Sequence, residues 1–350
     1  MRLANITIKD IAKALDLSFS TVSRALKDSY RISEDTRRLV QRYAEEHNYR
    51  PNLIARSLRS QRSRSLGVVL CNVPNVFFSE VLSGIESVAY TSDYLVIITQ
   101  SQESYEREVK NVRNLAGRAV DGLLVSLSTE SENLDHFFRL HEQGLPIVFF
   151  DRVTDELNTH RVVADNRGGA YDVTRYLVAS GYQRIAHITS SPFISITVER
   201  REGYALALQE AGLPLEQRYI KYCMHGGMVA AEIGQAMDEL MDLPDPPDAL
   251  LCASDRLTMG CYSLLRRKGW KIPQQIGIAG FSNFNSAELF CPGLTTVRQP
   301  AFEMGKAATE LLIGLIEAKR PPKEFIRKVF PTELFVREST SPLGFLSDFP

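Results

Sequence analysis

Apolar positions along this chain follow two regimes that meet near residue 65. Over residues 6–48 they recur with a helical period. Ile8, Ile11, Ala12 and Leu15 stand at i, i+3, i+4 and i+7, one stripe of a first helix. Thr7, three residues before Asp10, has the spacing of a capping box, which satisfies free N–H groups at a helix start. Asp16-Leu17 breaks the stripe. Ser18 is placed to cap a second helix with Val22, Ala25 and Leu26 facing inward. Ser33 is placed to cap a third, with Glu34 and Asp35 in the first turn, where the helix dipole favours acids. Leu39, Val40, Tyr43 and Ala44 form its core face. The run Asn48-Tyr49-Arg50-Pro51 stops it, because a residue before proline avoids the α region. Residues 52–59 (NLIARSLR) make one more short helical stretch, and 60–65 (SQRSRS) a polar, basic linker.

From Leu66 the period changes. Short, nearly continuous apolar runs appear at 66–70, 94–99, 121–126, 146–150, 184–189, 249–254 and 276–281, rich in β-branched residues as strands buried on both faces are. Helical-period segments lie between them. Strand–helix alternation predicts βαβ units and parallel sheets, and ten or so strands suit two doubly wound subdomains better than one. The expected fold is therefore an all-α helix-turn-helix headpiece on an α/β body.

Composition agrees with an ordinary folded chain: 350 residues, 44% hydrophobic and 24% charged. No apolar run is long enough to span a bilayer, and the first residues lack the apolar core of a signal peptide, so a cytoplasmic protein without a membrane partner is expected. Five cysteines without a C-x-x-C pair predict reduced, mostly buried thiols, with no metal site and no cofactor. The net charge of −1 hides an asymmetry. Residues 1–66 carry 14 basic and 7 acidic side chains, leaving 27 basic against 35 acidic in the rest. A basic head on an acidic body suggests a polyanion partner for the head, although a solvated charge-rich segment would look the same.

The second helix sharpens this. Phe19, Ser20, Thr21, Ser23 and Arg24 leave the apolar face formed by Val22 and Leu26. Small hydroxyls can bond base edges or phosphates, and arginine can grip guanine through two hydrogen bonds, so this face suits a major groove. An ordinary solvent-facing helix is the alternative. The eight residues of NLIARSLR are too few for a stable isolated helix. One account is folding on DNA, with Leu58 wedged into a base step from the minor groove and Arg56 and Arg59 on phosphates or groove edges. The other is docking of Leu58 on the downstream domain. An enzyme is not expected: G-x-G-x-x-G after a strand, G-x-x-x-x-G-K-[ST] and G-x-S-x-G are all missing.

At these residues the chain resembles the lactose/galactose-repressor family. The resemblance runs through ITIKDIAKALDLSFSTVSRAL (6–26), RISEDTRRLV, YRPNLIARSL, SLGVVL (65–70), VVADNRGGAY (162–171), GYQRIAHI (181–188), RREGY (200–204), LTTVRQP (294–300) and PTELFVREST (331–340). It implies a homodimeric repressor on a pseudo-palindromic operator of double-stranded DNA, controlling carbohydrate-related genes under a small effector, a sugar or sugar derivative. It implies base readers at Phe19, Ser20 and Arg24, backbone contacts at Thr21 and Ser23, and a wedge at Leu58 flanked by Ala55 and Arg59. Thr7 and Tyr30 complete the DNA-facing set. The body is similar to periplasmic sugar-binding proteins, two lobes with the effector between them. The implied divisions are 1–50 (headpiece), 51–65 (hinge), 66–164 with 300–326 (first lobe), 165–299 with 327–342 (second lobe) and 343–350 (tail).

Candidate effector residues follow strand ends, where open α/β sheets bind ligands. They are Asn75, Phe77 and Phe78 after the first body strand, Asp151 after PIVFF and Asp255 after ALLCAS. Phe77 and Phe78 could equally be core, and Asp151 and Asp255 helix caps. The resemblance adds Arg200, with His225 and Ser282 as further candidates. Two departures stand out. Gly280-Phe281-Ser282-Asn283 carries serine where many relatives have an acid, and PFISITVER is apolar where some carry polar contacts. The C-terminal SPLGFLSDFP has no leucine heptad, so a tetramerising coiled coil is not expected.

Overall fold

A computed structural model describes residues 6–26, 31–49, 62–320 and 322–341. The chain divides into two compact units, Met1–Ser63 and Arg64–Pro350. The first holds α1 (Ile8–Ala14), α2 (Phe19–Ala25) and α3 (Glu34–Glu46). Each begins on a hydroxyl. Thr7 and Asp10 form a complete capping box, Ser18 accepts from the Thr21 N–H, and Ser33 from the Thr36 N–H. Asp16, at φ 53°, turns the chain between α1 and α2. Ile11, Ala12, Val22, Ala25, Val40 and Ala44 are the buried core. Leu39 is a correction to the expected core face: it is 48% exposed, because the stripe of α3 runs through Val40 and Ala44 and leaves Leu39 at its margin. The hinge stretch 52–59 lies outside the described residues.

The second unit has two lobes, each a six-stranded sheet covered by helices on both faces. The first sheet runs in the order β11-β5-β4-β3-β1-β2, all parallel: β1 (Ser65–Leu70), β2 (Leu95–Gln100), β3 (Gly122–Val125), β4 (Ile147–Phe150), β5 (His160–Ala164) and β11 (Arg327–Phe330). Its helices are α4 (Val76–Thr91), α5 (Tyr105–Gly117), α6 (Asp135–Glu142) and α11 (Ala301–Glu317). The second runs β12-β10-β9-β8-β6-β7: β6 (Ile185–Thr189), β7 (Ile220–Tyr222), β8 (Ala249–Cys252), β9 (Gly277–Phe281), β10 (Thr295–Arg298) and β12 (Glu333–Phe335). Only β12 is antiparallel. Its helices are α7 (Asn166–Ala179), α8 (Ser195–Glu210), α9 (Ala230–Met241) and α10 (Asp255–Arg267).

The chain passes between lobes after β5, after β10 and after β11. The last passage corrects the expected boundary at 326/327. Arg327–Phe330 pairs in register with Arg161–Ala164 of the first sheet, so these four residues belong to the first lobe. The strand is an exposed edge with little apolar signal, which is why the pattern does not mark it.

In each lobe the strand order reverses at one place, between β1 and β3 and between β6 and β8. Crevices at the carboxyl ends of such strands are where open α/β sheets take ligands. Close helix packing fixes one wall of that crevice. A Cβ on Gly203 would stand 2.1 Å from the Arg167 carbonyl oxygen, so glycine lets α8 press on α7. Four cysteines are buried and Cys291 is exposed, all as free thiols.

Candidate functional site

On α2, Phe19 is half exposed, Ser20 and Arg24 are exposed, and Thr21 and Ser23 are half-buried. The Ser18 hydroxyl lies 2.8 Å from those of both Ser20 and Thr21. The cap thus holds two candidate DNA contacts in a defined place before any partner arrives. Thr7 is exposed, but its hydroxyl donates to Asp10 Oδ2 at 2.7 Å, and that bond holds the Asp10 carboxyl below its ordinary range. Tyr30, Ala55, Leu58 and Arg59 lie outside the described residues.

Between the lobes lies a cavity of about 30 Å³. Cys71, Asn75, Phe78 and Arg152 line it from the first lobe; Thr189, Ser190, Thr197, Arg200, Ser254 and Arg256 are among its lining from the second. These residues stand at or just after the carboxyl ends of β1, β4, β6 and β8, or in the opening turns of α4, α8 and α10, with Arg200 in the second turn of α8.

Arg200 is the anchor of the second-lobe wall. It is 2% exposed. Its Nε and one terminal nitrogen donate to Asn166 Oδ1 at 2.9 and 2.7 Å, and the other donates to the Ala253 carbonyl. Its guanidinium lies 3.9 Å over the Phe281 ring. Burial pulls its pKa down to about 10. Arg152 is the anchor of the first-lobe wall, donating to Glu103 Oε2 at 2.7 Å. Glu103 also accepts from the Thr129 N–H at 3.0 Å. Burial alone would raise the Glu103 carboxyl, but the Arg152 charge and these bonds outweigh it and hold the pKa low. The Cys71 thiol, buried beside them, is pushed up to about 12 and stays neutral.

Of the expected effector residues, Asn75, Phe78 and Arg200 line the cavity. Asn75 also caps α4, its Oδ1 accepting from the Phe78 N–H at 3.3 Å. Phe77 does not line it. It packs into the first-lobe core, edge-on to Phe78, because neighbouring helix residues point some 100° apart. Asp151 is buried just behind the wall at φ 59°, and Arg152 takes the place facing the cavity. Desolvation raises the Asp151 carboxyl against the pull of Arg152 and Arg200. Asp255 also stands back, between the lining residues Ser254 and Arg256. Its Oδ1 accepts from Ser282 Oγ at 2.6 Å and from the Asn283 N–H at 3.0 Å. Burial raises its pKa too. Ser282 therefore supplies a proton donor to Asp255, where an acid would set two carboxylates against each other. His225 is bonded to Glu232 at 2.7 Å, which raises the imidazole pKa; its neighbour Gly226 lines the cavity.

Sequence reasoning missed Arg152, Thr189, Ser190, Thr197 and Arg256. Thr189 ends β6 and Ser190 follows it, so the strand-end rule used for β1, β4 and β8 would have found them. Among the described residues, no group of three metal-ligating side chains occurs and no helix is long and apolar enough to cross a membrane.

Residues 7–52 match the model of bacterial regulatory proteins of the lacI family, and residues 174–340 match that of a periplasmic binding protein-like domain. The transcriptional repressor PurR of Vibrio atlanticus is 33% identical over 313 residues, covering 89% of this chain and 92% of that protein. The chain belongs to the LacI family. It is a DNA-binding transcription regulator with a small-molecule effector, not an enzyme. Among solved structures, the regulator CelR in complex with cellobiose is 27% identical with a TM-score of 0.69, covering 96% of this chain and 100% of that one. The lac repressor dimer bound to operator and an anti-inducer is 22% identical with a TM-score of 0.81, covering 97% and 100%; it shows the LacI-family fold.

Proposed function

We propose that this LacI-family regulator is a cytoplasmic, homodimeric repressor of carbohydrate-related genes. It binds a pseudo-palindromic operator and is switched by a sugar or sugar derivative held between the lobes. The observation that carries the effector half is the cavity wall. Arginines, hydroxyls and an amide from both lobes meet at two sheet switch points, with Phe78 offering an apolar face, a set of groups suited to a polyol. The saccharide bound by CelR supports the same class. The cavity of about 30 Å³ is far below the roughly 300–1,000 Å³ of occupied small-molecule pockets, so admission requires the lobes to part about the three passages.

In the head, Phe19, Ser20 and Arg24 read base edges, while Thr7, Thr21, Ser23 and Tyr30 hold the backbone. Within the hinge at 51–65, Leu58 is the minor-groove wedge, with Ala55 and Arg59 beside it. Effector occupancy alters the geometry of the first lobes across the dimer, and with it the hinge and operator affinity, through a coupling of typically 1–3 kcal/mol.

The test is selection of bound fragments from the organism's own genome by the full-length protein, followed by gel shift of the selected site with a panel of sugars. A single palindromic site whose occupancy changes with one sugar class supports the reading. Failure to enrich any site refutes it, and enrichment without response to any sugar or sugar derivative refutes its effector half.

A further inference from the structure

The residues that line the cavity are one-sided in charge, and the carboxylates of Glu103, Asp151 and Asp255 stand behind them. Three guanidinium groups line the cavity, from Arg152, Arg200 and Arg256, and no carboxylate does. Only Arg152 is directly paired, with Glu103 behind the wall. Arg200 gives its hydrogen bonds to neutral acceptors, Asn166 Oδ1 and the Ala253 carbonyl. Among the described residues, Arg256 makes no ion pair. The remaining polar lining is rich in donors. Asn75 spends its carbonyl oxygen on the Phe78 N–H, which leaves its amide hydrogens.

Independent of charge, buried polar atoms in this wall stand without partners. Arg152 Nε, Thr189 Oγ1 and Ser190 Oγ are buried and make no hydrogen bond. The three residues are 9%, 0% and 6% exposed. Natural proteins rarely leave such groups unsatisfied unless something else fills the place. Three helix starts also converge here. Asn75 caps α4, Thr197 lies in the first turn of α8, and Ser254 caps α10. Neither α4 nor α8 has an acidic residue in its first turn, and α8 has no side-chain cap. Helix N-termini carry partial positive charge and free N–H groups, both favourable to anions. The hydroxyls of this wall can donate or accept and so suit the polyol part of a sugar, while its guanidinium groups only donate, and an anionic oxygen is an acceptor only.

We propose that the effector carries an anionic group, as a phosphorylated sugar or a sugar acid, seated among Arg152, Arg200 and Arg256 against the unpartnered hydroxyls of Thr189 and Ser190. This rests on the cleft being the effector site. Arg256 is the residue that separates the anionic class from neutral sugars. It is half-buried and, among the described residues, in no ion pair, so its removal tests selectivity with little cost to folding.

The experiment uses the full-length protein and its Arg256→Gln variant. Calorimetric titration compares matched pairs at low ionic strength: glucose with glucose 6-phosphate, ribose with ribose 5-phosphate, and glucose with gluconate. Inorganic phosphate is followed separately by melting temperature against a chloride control. At least one anionic member should bind ten-fold or more tighter than its neutral partner, and the advantage should shrink with salt. The phosphate and gluconate arms show which anion is read. Inorganic phosphate should raise the wild-type melting temperature and leave that of R256Q nearly unchanged. Equal or tighter binding of the neutral partners overturns the proposal. So does retention of the anionic preference in R256Q, or silence to phosphate and to every anionic sugar. Operator enrichment, measured without ligand, reports on the regulator reading alone, so the two failures are distinguishable.

Discussion

The reading head and the interlobe cleft place function on opposite sides of the solvent boundary. In the head, the candidate contacts Phe19, Ser20 and Arg24 are exposed, and the core beneath them is six small or medium side chains. In the cleft, Arg152, Arg200, Thr189 and Ser190 are buried, and each sits at the end of a strand or on a helix that also holds the lobe together. Head residues can therefore be exchanged with little effect on folding. The buried pair of Arg152 and Glu103 cannot, because burying a charge without its partner is costly. The same protein should show mutations that separate binding from stability in one region and entangle them in the other.

Glu103→Gln should break this contrast most strongly if it is mistaken. The variant leaves the buried Arg152 without its carboxylate, a change that typically costs about 3–5 kcal/mol. Denaturant unfolding of the full chain should show that loss in the second unit, and joint replacement of Glu103 and Arg152 by apolar residues should recover much of it. A Glu103→Gln variant as stable as wild type would mean that the pair is hydrated and that the cleft behaves as a surface.

Arg24→Ala is the counterpart in the head. It should weaken operator binding by about 1–3 kcal/mol and relax preference at one base pair. Its unfolding midpoint should match wild type, since the guanidinium is exposed. Equal loss on all sequences, with a flatter salt dependence, would instead assign Arg24 to phosphate. Ser18→Ala has a smaller and mixed effect. Loss of the N-cap of α2 should destabilise the head by about 1 kcal/mol and free the Ser20 and Thr21 hydroxyls, so both melting and operator affinity should fall modestly.

The contrast also explains what was legible in the sequence. Helix starts at Thr7, Ser18 and Ser33 could be read because capping chemistry is local, and the outward-facing residues of α2 because they interrupt an apolar stripe. Body strands buried on both faces could be read as continuous apolar runs. The polar edge β11 could not, because pairing to β5 is made by backbone hydrogen bonds that any side chain permits, whereas the opposite edge β2 was legible from its apolar run although none of its residues is buried. In the cleft, the strand-end rule found the neighbourhood and often missed the residue by one position. Asp151 was expected and Arg152 lines the wall; Asp255 was expected and Ser254 and Arg256 flank it there. At these turns the direction of a side chain depends on local backbone angles, such as φ 59° at Asp151, which no periodicity reports. The meaning of Ser282 was likewise hidden, because its partner Asp255 lies 27 residues away.

His225 gives the finest test, since it borders the cleft yet is half exposed, and so belongs to neither side of the contrast. Glu232 on α9 raises its pKa through a hydrogen bond, and Glu103 and Glu130 of the first lobe add smaller charge effects of the same sign. A group whose folded pKa exceeds its unfolded value of about 6.5 stabilises the fold fully below that value, and the contribution is lost as pH rises through the raised folded pKa. Solvent screening keeps an exposed pair of this kind below about 1 kcal/mol. Melting temperatures of wild type and Glu232→Gln should therefore differ slightly near pH 5.5 and converge at mildly alkaline pH. A difference that does not change with pH would mean that Glu232 acts by holding the His225 backbone N–H, which it accepts at 3.1 Å, and not through the imidazole charge. In that case the loop beside Gly226 is set by backbone geometry, as the rest of the cleft wall is.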